Sequence, residues 1–156
     1  MVIRLANRED IPGIEALLLQ VGAVHHQIRP DIFRDGCLKY DESALTALLA
    51  DESRPVFVAV EDEAVLGYCF CQHRNYDNGG VSTCRKEIYI DDLCVDEGHR
   101  GKGIATDLYR HALDYAKASG CRFVTLNVWC GNDAAMAFYE KMGMTPRNIT
   151  METSLD

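Results

Sequence analysis

Between residues 87 and 128 the chain spells out a strand, a basic glycine-rich turn, a helix and a second strand. Residues 87–95 are dominated by Ile, Tyr, Leu and Val. From Gly103 to about Ser119 the apolar residues Ile104, Ala105, Leu108, Ala112, Tyr115 and Ala116 recur at helical spacing, and Gly120 supplies a stop. Residues 122–128 return to strand character. Two strands joined through a helix form a parallel pair around a crossover. That unit limits the chain to α/β or mixed architectures.

The turn inside this unit is Arg100-Gly101-Lys102-Gly103-Ile104-Ala105. Its glycines let backbone approach an anion, the helix's first free N–H groups point at it, and the helix dipole favours negative charge there. Arg100 and Lys102 add positive charge, so a phosphorylated ligand is expected. Two well-known phosphate loops do not fit. Gly98 and Gly103 have P-loop spacing, but Ile104 and Ala105 stand where Lys and Ser/Thr are required. Gly101 and Gly103 begin a dinucleotide fingerprint, but Thr106 takes the third glycine's place, and the acidic residue expected at the end of the next strand is missing.

The first half reads differently. Residues 2–6 form a strand, and Asn7 caps a helix carrying Ile11, Ile14, Leu17, Leu18 and Val21, with Pro12 tolerated in its first turn. Residues 25–36 read as a short helical turn and then a loop around Pro30. Asp41 caps a second helix through Leu45, Leu48 and Leu49. Residues 55–61 and 64–73 are two strands joined by the acidic turn Glu61-Asp62-Glu63, a hairpin, and residues 75–80 are a loop. The segment 133–142 is a helix stopped by Gly143, and the tail beyond it has the character of one or two more strands. Antiparallel pairing in the first half and a parallel pair in the second require a mixed, twisted sheet with helices on both faces.

A length of 156 residues suits one domain, and 26% charged residues with 47% hydrophobic ones is ordinary for a soluble globule. No apolar run approaches the ~20 residues that span a bilayer, so no membrane partner is expected. The start, Met1-Val2-Ile3-Arg4-Leu5, lacks a signal-peptide layout, and seven scattered cysteines form no C-x-x-C, which points to a reduced, cytoplasmic setting. A net charge of −8 argues against nucleic acid and towards a cationic acceptor.

Arg100-x-x-Gly103-x-Ala105 resembles the Arg/Gln-x-x-Gly-x-Gly/Ala motif of the GCN5-related N-acetyltransferase (GNAT) superfamily. The resemblance extends to residues 89–95 as the family's central strand and to residues 132–144 as its C-terminal helix and the strand after it. It implies one GNAT-like domain over residues 1–156, with about six to seven strands. It also implies acetyl-coenzyme A as cosubstrate and transfer of acetyl to a primary amine by direct attack, with homodimerisation common among such proteins. Gly101, Lys102, Gly103, Ile104 and Ala105, with Arg100, would hold the pyrophosphate. Backbone groups of Leu93, Cys94 and Val95 would bind the pantetheine arm and the acetyl carbonyl, and Asn132 would cap its helix, touch that arm, or both.

Acetyl transfer needs a base for the ammonium proton and an acid for the leaving thiolate. Tyr139, at the family's Tyr position in Ala137-Phe138-Tyr139-Glu140-Lys141, is the candidate acid. Asp91 and Asp92 are candidate bases, Asp91 ahead. Adjacent strand residues point to opposite faces, so at most one is expected to face the cleft directly. A buried carboxylate is costly unless paired, which gives either one a structural alternative. The segment 25–34, with His25, Arg29 and Asp31, is expected over the acceptor cleft. Adjacent histidines rarely ligate one ion and no other ligand stands at suitable spacing, so no metal is expected. His99 flanks the phosphate loop. Cys94 reads as an inert thiol, and Trp129 and Cys130 as packing residues. The reading from another class is a non-catalytic acyl-coenzyme A-binding regulatory module, which needs neither Tyr139 nor Asp91. A nucleotide-binding domain is disfavoured by the two failed motifs. The acceptor is left among polyamine, aminoglycoside, amino acid, protein N-terminus and lysine.

Overall fold

A computed structural model describes residues 1–76, 80 and 83–156. Strand β1 (Val2–Leu5) leads through a 3-10 turn (Arg8–Asp10) into α1 (Ile11–Ile28) and α2 (Glu42–Leu49). Strands β2 (Val56–Glu61), β3 (Ala64–Tyr76) and β4 (Arg85–Val95) come next, then α3 (Ile104–Ala118), β5 (Phe123–Leu126) and α4 (Asp133–Lys141). The sheet runs β1-β2-β3-β4-β5. Its first four strands pair antiparallel, and β4 pairs β5 in parallel across α3.

Local chemistry sets these elements. Glu61 faces Ala64 across the β2–β3 hairpin, and Asp62 and Glu63 both take left-handed backbone, at φ 48° and 65°. That is the twist a two-residue hairpin loop requires. The Arg4 guanidinium of β1 donates to both oxygens of buried Asp10, at 2.7 and 2.9 Å, and the Asn7 N–H donates to the same carboxylate. Burial pushes the Asp10 carboxyl up, but these bonds outweigh it and hold it below the usual carboxylate range. Helix α1 runs on past His25 and His26 to Ile28, where a short turn was expected. Nothing in residues 25–28 breaks a helix, and the steric conflict arrives only with Pro30, which disfavours helical backbone at Arg29.

Each face of the sheet carries its own core. On one, Ile14, Leu17 and Leu18 of α1 and Leu45 and Leu48 of α2 meet Val56, Val58, Tyr68 and Phe70. On the other, Ile104, Leu108, Tyr109, Ala112 and Ala116 of α3 meet Phe57, Cys69, Cys71, Ile88 and Ile90. The helices on both faces agree with the expected plan.

The described residues form five strands rather than the expected six to seven, because the segment after α4 takes no strand partner. Strand β5 ends at Leu126, short of Val128, for a reason that matters at the site. Of the expected loop at 75–80, Asn75 and Tyr76 belong to β3, and residues 77–79 lie outside the described ones. No helix is long and apolar enough to cross a membrane, among the described residues.

Candidate active site

The parallel ladder between β4 and β5 stops at Ile90 opposite Leu126. Beyond it β4 continues with β3 alone, from Asp92 opposite Phe70 to Val95 opposite Gly67. The two parallel strands therefore part company, leaving one edge of residues 91–95 without a strand beside it. The Asp96 N–H donates to the Leu66 carbonyl, so by the alternation of an antiparallel ladder Cys94 also faces β3. The N–H and C=O groups of Leu93 and Val95 then face the gap. The Val95 carbonyl is taken by Arg100 Nε at 3.2 Å.

A β-bulge sits where the gap opens. Phe70 and Cys71 are consecutive in β3, but their partners are Asp92 and Ile90, so Asp91 is the extra residue. The bulge corrects the expectation that Asp91 and Asp92 point to opposite faces. An extra residue interrupts the two-residue alternation, and both carboxylates meet groups on the α1–α2 side. The Tyr40 hydroxyl donates to Asp91 Oδ2 at 2.7 Å, with Lys39 Nζ 3.0 Å from the same oxygen. Arg54 Nη2 donates to the Tyr40 oxygen at 3.0 Å. The Tyr68 hydroxyl donates to Asp92 Oδ2 at 2.9 Å.

These partners drive the neighbouring carboxylates apart. Burial pushes Asp91 up, but the Tyr40 hydroxyl and the Lys39 ammonium outweigh it and hold it below the usual range. Burial also pushes Asp92 up, and there it prevails over Lys39 and the single Tyr68 bond. His25, at the end of α1, senses Asp92, yet burial lowers its affinity for a proton.

The glycine-rich turn succeeds β4 through a 3-10 turn (Glu97–His99) capped by the Asp96 side chain. Gly101 and Gly103 take left-handed backbone, at φ 75° and 86°, and nothing lies within 4 Å of where a Cβ would stand on either. Gly103 is the residue before α3, so the free N–H groups of that helix open onto the same bare backbone. Lys102 is exposed, and His99 is drawn off by Asp96 Oδ2 at 2.7 Å rather than facing the turn freely.

Across the gap, the Asn132 side chain accepts the Ala135 N–H at 3.2 Å and caps α4, one of the expected roles. Tyr139 on that helix packs its ring against Phe138 and Tyr109, at 5.1 and 6.2 Å between centroids. Its hydroxyl takes no hydrogen bond among the described residues. Burial raises its pKa, and the neighbouring Cys69 and Asp92 raise it further. The Cys94 thiol is buried and pushed up to about 12, chiefly by that burial, which suits the inert reading. Arg29 and Asp31 pair with each other, and Phe33 packs edge-on to Trp129 at 5.1 Å. Lys39, Tyr40, Arg54 and Tyr68 did not stand out from the sequence. Each is an ordinary residue far from the central motif, and only the fold brings them to the bulge.

The family model of the acetyltransferase (GNAT) family matches residues 23–144, most of the chain. The chain belongs to the GNAT family of acetyltransferases. A solved variant of the BH1408 protein from Bacillus halodurans is 34% identical, with a TM-score of 0.95 over 99% of both chains. Over 87 residues the chain is 36% identical to N-alpha-acetyltransferase 30 of Schizosaccharomyces pombe, spanning 56% of this chain and 55% of that protein. Over 76 residues it is 34% identical to glucosamine 6-phosphate N-acetyltransferase of Arabidopsis thaliana, 49% of each. The chain thus spans about half the length of these curated relatives. An aminoglycoside N-acetyltransferase solved with CoA shares the fold at 17% identity, with a TM-score of 0.69 over 98% of this chain and 99% of that one. Three of these proteins are named as N-acetyltransferases.

Proposed function

We propose that this GNAT domain, spanning residues 1–156, transfers acetyl from acetyl-coenzyme A to a primary amine by direct attack. The observation that carries the reading is the parting of β4 from β5. It bares the Leu93 and Val95 backbone within reach of a glycine turn on one side and the Asp91–Asp92 bulge on the other. The turn fits a pyrophosphate, since its left-handed glycines leave open space above the α3 N–H groups, with Arg100 and Lys102 beside them. The Leu93 backbone and the Val95 N–H, which face the gap, suit the amide-bearing arm and a polarised thioester carbonyl, while the Val95 carbonyl is held by Arg100.

Asp92 is the better placed base. A base must be ready to take a proton near working pH, and the raised Asp92 carboxyl is closer to that than the ion-paired Asp91. Asp91 holds Lys39 and Tyr40 in place at the rim. The amine nitrogen, freed of its proton, forms the new C–N bond as the C–S bond breaks. The Tyr139 hydroxyl is the donor to the departing thiolate. Lys39 already neutralises Asp91, so Asp92 is the carboxylate left to receive a cationic acceptor, a small amine or a peptide amine.

Calorimetry with acetyl-coenzyme A, ATP and NADH tests the donor. Binding of acetyl-coenzyme A alone, lost in Arg100→Ala/Gly103→Asp, is expected, and its absence removes the reading. An amine screen then looks for free thiol release. Tight binding with no transfer to any amine, and no change in Tyr139→Phe, would point instead to a regulatory acyl-coenzyme A-binding module.

A further inference from the structure

Helix α1 crosses the β4–β5 gap on the sheet face opposite α3. It starts over β3, where a Cβ on Gly13 would meet the Val65 side chain at 2.8 Å. Further on, the Cys94 thiol of β4 donates to the Leu17 carbonyl at 3.7 Å, and at its end Ile28 abuts Gly131, beyond β5. His25 falls between these last two contacts and so stands over the gap. Its ring packs against Phe33 at 5.0 Å between centroids, and Phe33 packs edge-on to Trp129 at 5.1 Å. His26 Nδ1 donates to the Phe33 carbonyl at 2.7 Å, which folds the loop back onto α1 and fixes where that phenyl ring lies. Three rings, from α1, from the loop after it and from the segment after β5, thus make one row across the gap.

The charges round this row are matched, with one exception. Arg29 pairs with Asp31 and with Glu152, and Lys39 pairs with Asp91. Arg34 and Asp35, beside Phe33, are exposed and of opposite sign. Asp92 makes no ion pair among the described residues, and its hydrogen bond comes from the neutral Tyr68 hydroxyl. Burial keeps the His25 pKa below its ordinary value, so at neutral pH that residue adds a ring rather than a charge. A molecule entering from this side meets ring surface and a single free carboxylate.

We propose that the acceptor is a small monoamine on a flat, apolar frame, an arylalkylamine by chemical class, and neither a polycation nor a polyol. This rests on the amine-transfer reading above and narrows it. Ring faces attract an ammonium, and aromatic edges and faces pack an aryl group. Asp92 supplies the one counter-charge, at the place where the amine must lose its proton. A second ammonium would give up its water and find no carboxylate free to replace it. The hydroxyls of an amino sugar would need polar partners that the rings lack. Ile28 against Gly131 and Arg29 with Glu152 close the row beyond β5, which suits a short frame rather than an extended peptide.

Trp129 is the chain's single tryptophan, so its fluorescence reports on the row whether or not transfer occurs. With coenzyme A present, titration with 2-phenylethylamine is expected to shift that emission saturably, with a dissociation constant ~10-fold or more below those of spermidine, kanamycin and a tripeptide. Phe33→Ala should erase most of that preference. Phe33→Leu, which keeps apolar volume but no ring face, should fall between the two, whereas a merely structural role for Phe33 would leave it like wild type. No saturable shift overturns the inference, as does tighter binding of spermidine, kanamycin or the tripeptide, or a preference that both variants leave intact. Thiol release from acetyl-coenzyme A is followed in parallel. Selective binding of 2-phenylethylamine without release upholds the occupant and removes the transfer reading. Faster release with spermidine keeps the transfer reading and overturns this one.

Discussion

The two sides of the β4–β5 gap solve opposite problems with different materials. On the turn side, the proposed recognition rests on backbone: two left-handed glycines and the first N–H groups of α3, with few side chains involved. On the bulge side it rests on side chains drawn from Lys39, Tyr40, Arg54, Tyr68 and the two aspartates. Backbone recognition suits a group common to every turnover, while a side-chain network can be retuned for each acceptor. Substitutions on the turn side should therefore change donor affinity, and those on the bulge side should change rate and pH dependence.

The sharpest separation is expected from Asp92→Asn. Losing the proposed base should lower kcat/KM by ~10²–10⁴-fold while acetyl-coenzyme A binds as before. Stability should move the other way. A carboxyl whose folded pKa is raised contributes stability below its unfolded pKa and loses it as pH rises through the folded one. Where pH exceeds the raised value the wild type carries a costly buried charge, and there Asp92→Asn should melt no lower than wild type. A drop in both rate and melting temperature would make Asp92 structural.

Tyr139→Phe should lower kcat by ~10²-fold, the low end for a proton donor, with donor affinity unchanged in calorimetry. If affinity falls instead, the hydroxyl belongs to binding and the two sides are not cleanly divided. Gly103→Val should do the converse. A branched side chain at φ 86° costs about 2 kcal/mol of strain, or ~30-fold in donor affinity, with little change in the pH profile.

Lys39→Ala is expected to act most gently. The Lys39 ammonium favours the carboxylate form of both aspartates, so its loss takes Asp92 further above the usual range and Asp91 back towards it. Activity that needs ionised Asp92 should then rise at higher pH than in wild type, visible as a displaced acid limb in kcat/KM. An unmoved limb would mean that another group titrates there.

The turn side was legible in the sequence, while the bulge side showed only its two aspartates and not the partners that hold them, and the reason is physical. Arg100 to Ala105 are contiguous, and their chemistry comes from glycine backbone and a helix start, both local properties. Tyr40 and Asp91 are far apart in sequence, and their bond exists only because α1, α2 and β4 share a face. Tyr68 is also a core residue, buried among the side chains of the α1–α2 face. The hairpin at Glu61 and the cap at Asp41 were readable for the same local reason. The bulge was not: its residues obey ordinary strand composition, and a partner strand is needed to reveal one too many. The tail was expected to add one or two strands and adds none, because a strand also needs a neighbour and none of the described residues supplies one within this chain.

The extra residue at Asp91 means that deletions in β4 have opposite outcomes depending on where they fall. Removing Asp91 would set Asp92 directly after Ile90, as their partners Phe70 and Cys71 are already consecutive, and leave Leu93 and Val95 on the α3 side and Cys94 on the α1 side. Removing Leu93 instead would leave the bulge in place and turn Cys94 and Val95 to the opposite sides, and with them the backbone groups that face the gap. Beyond the bulge, the length of this strand is thus constrained as strictly as any side chain upon it.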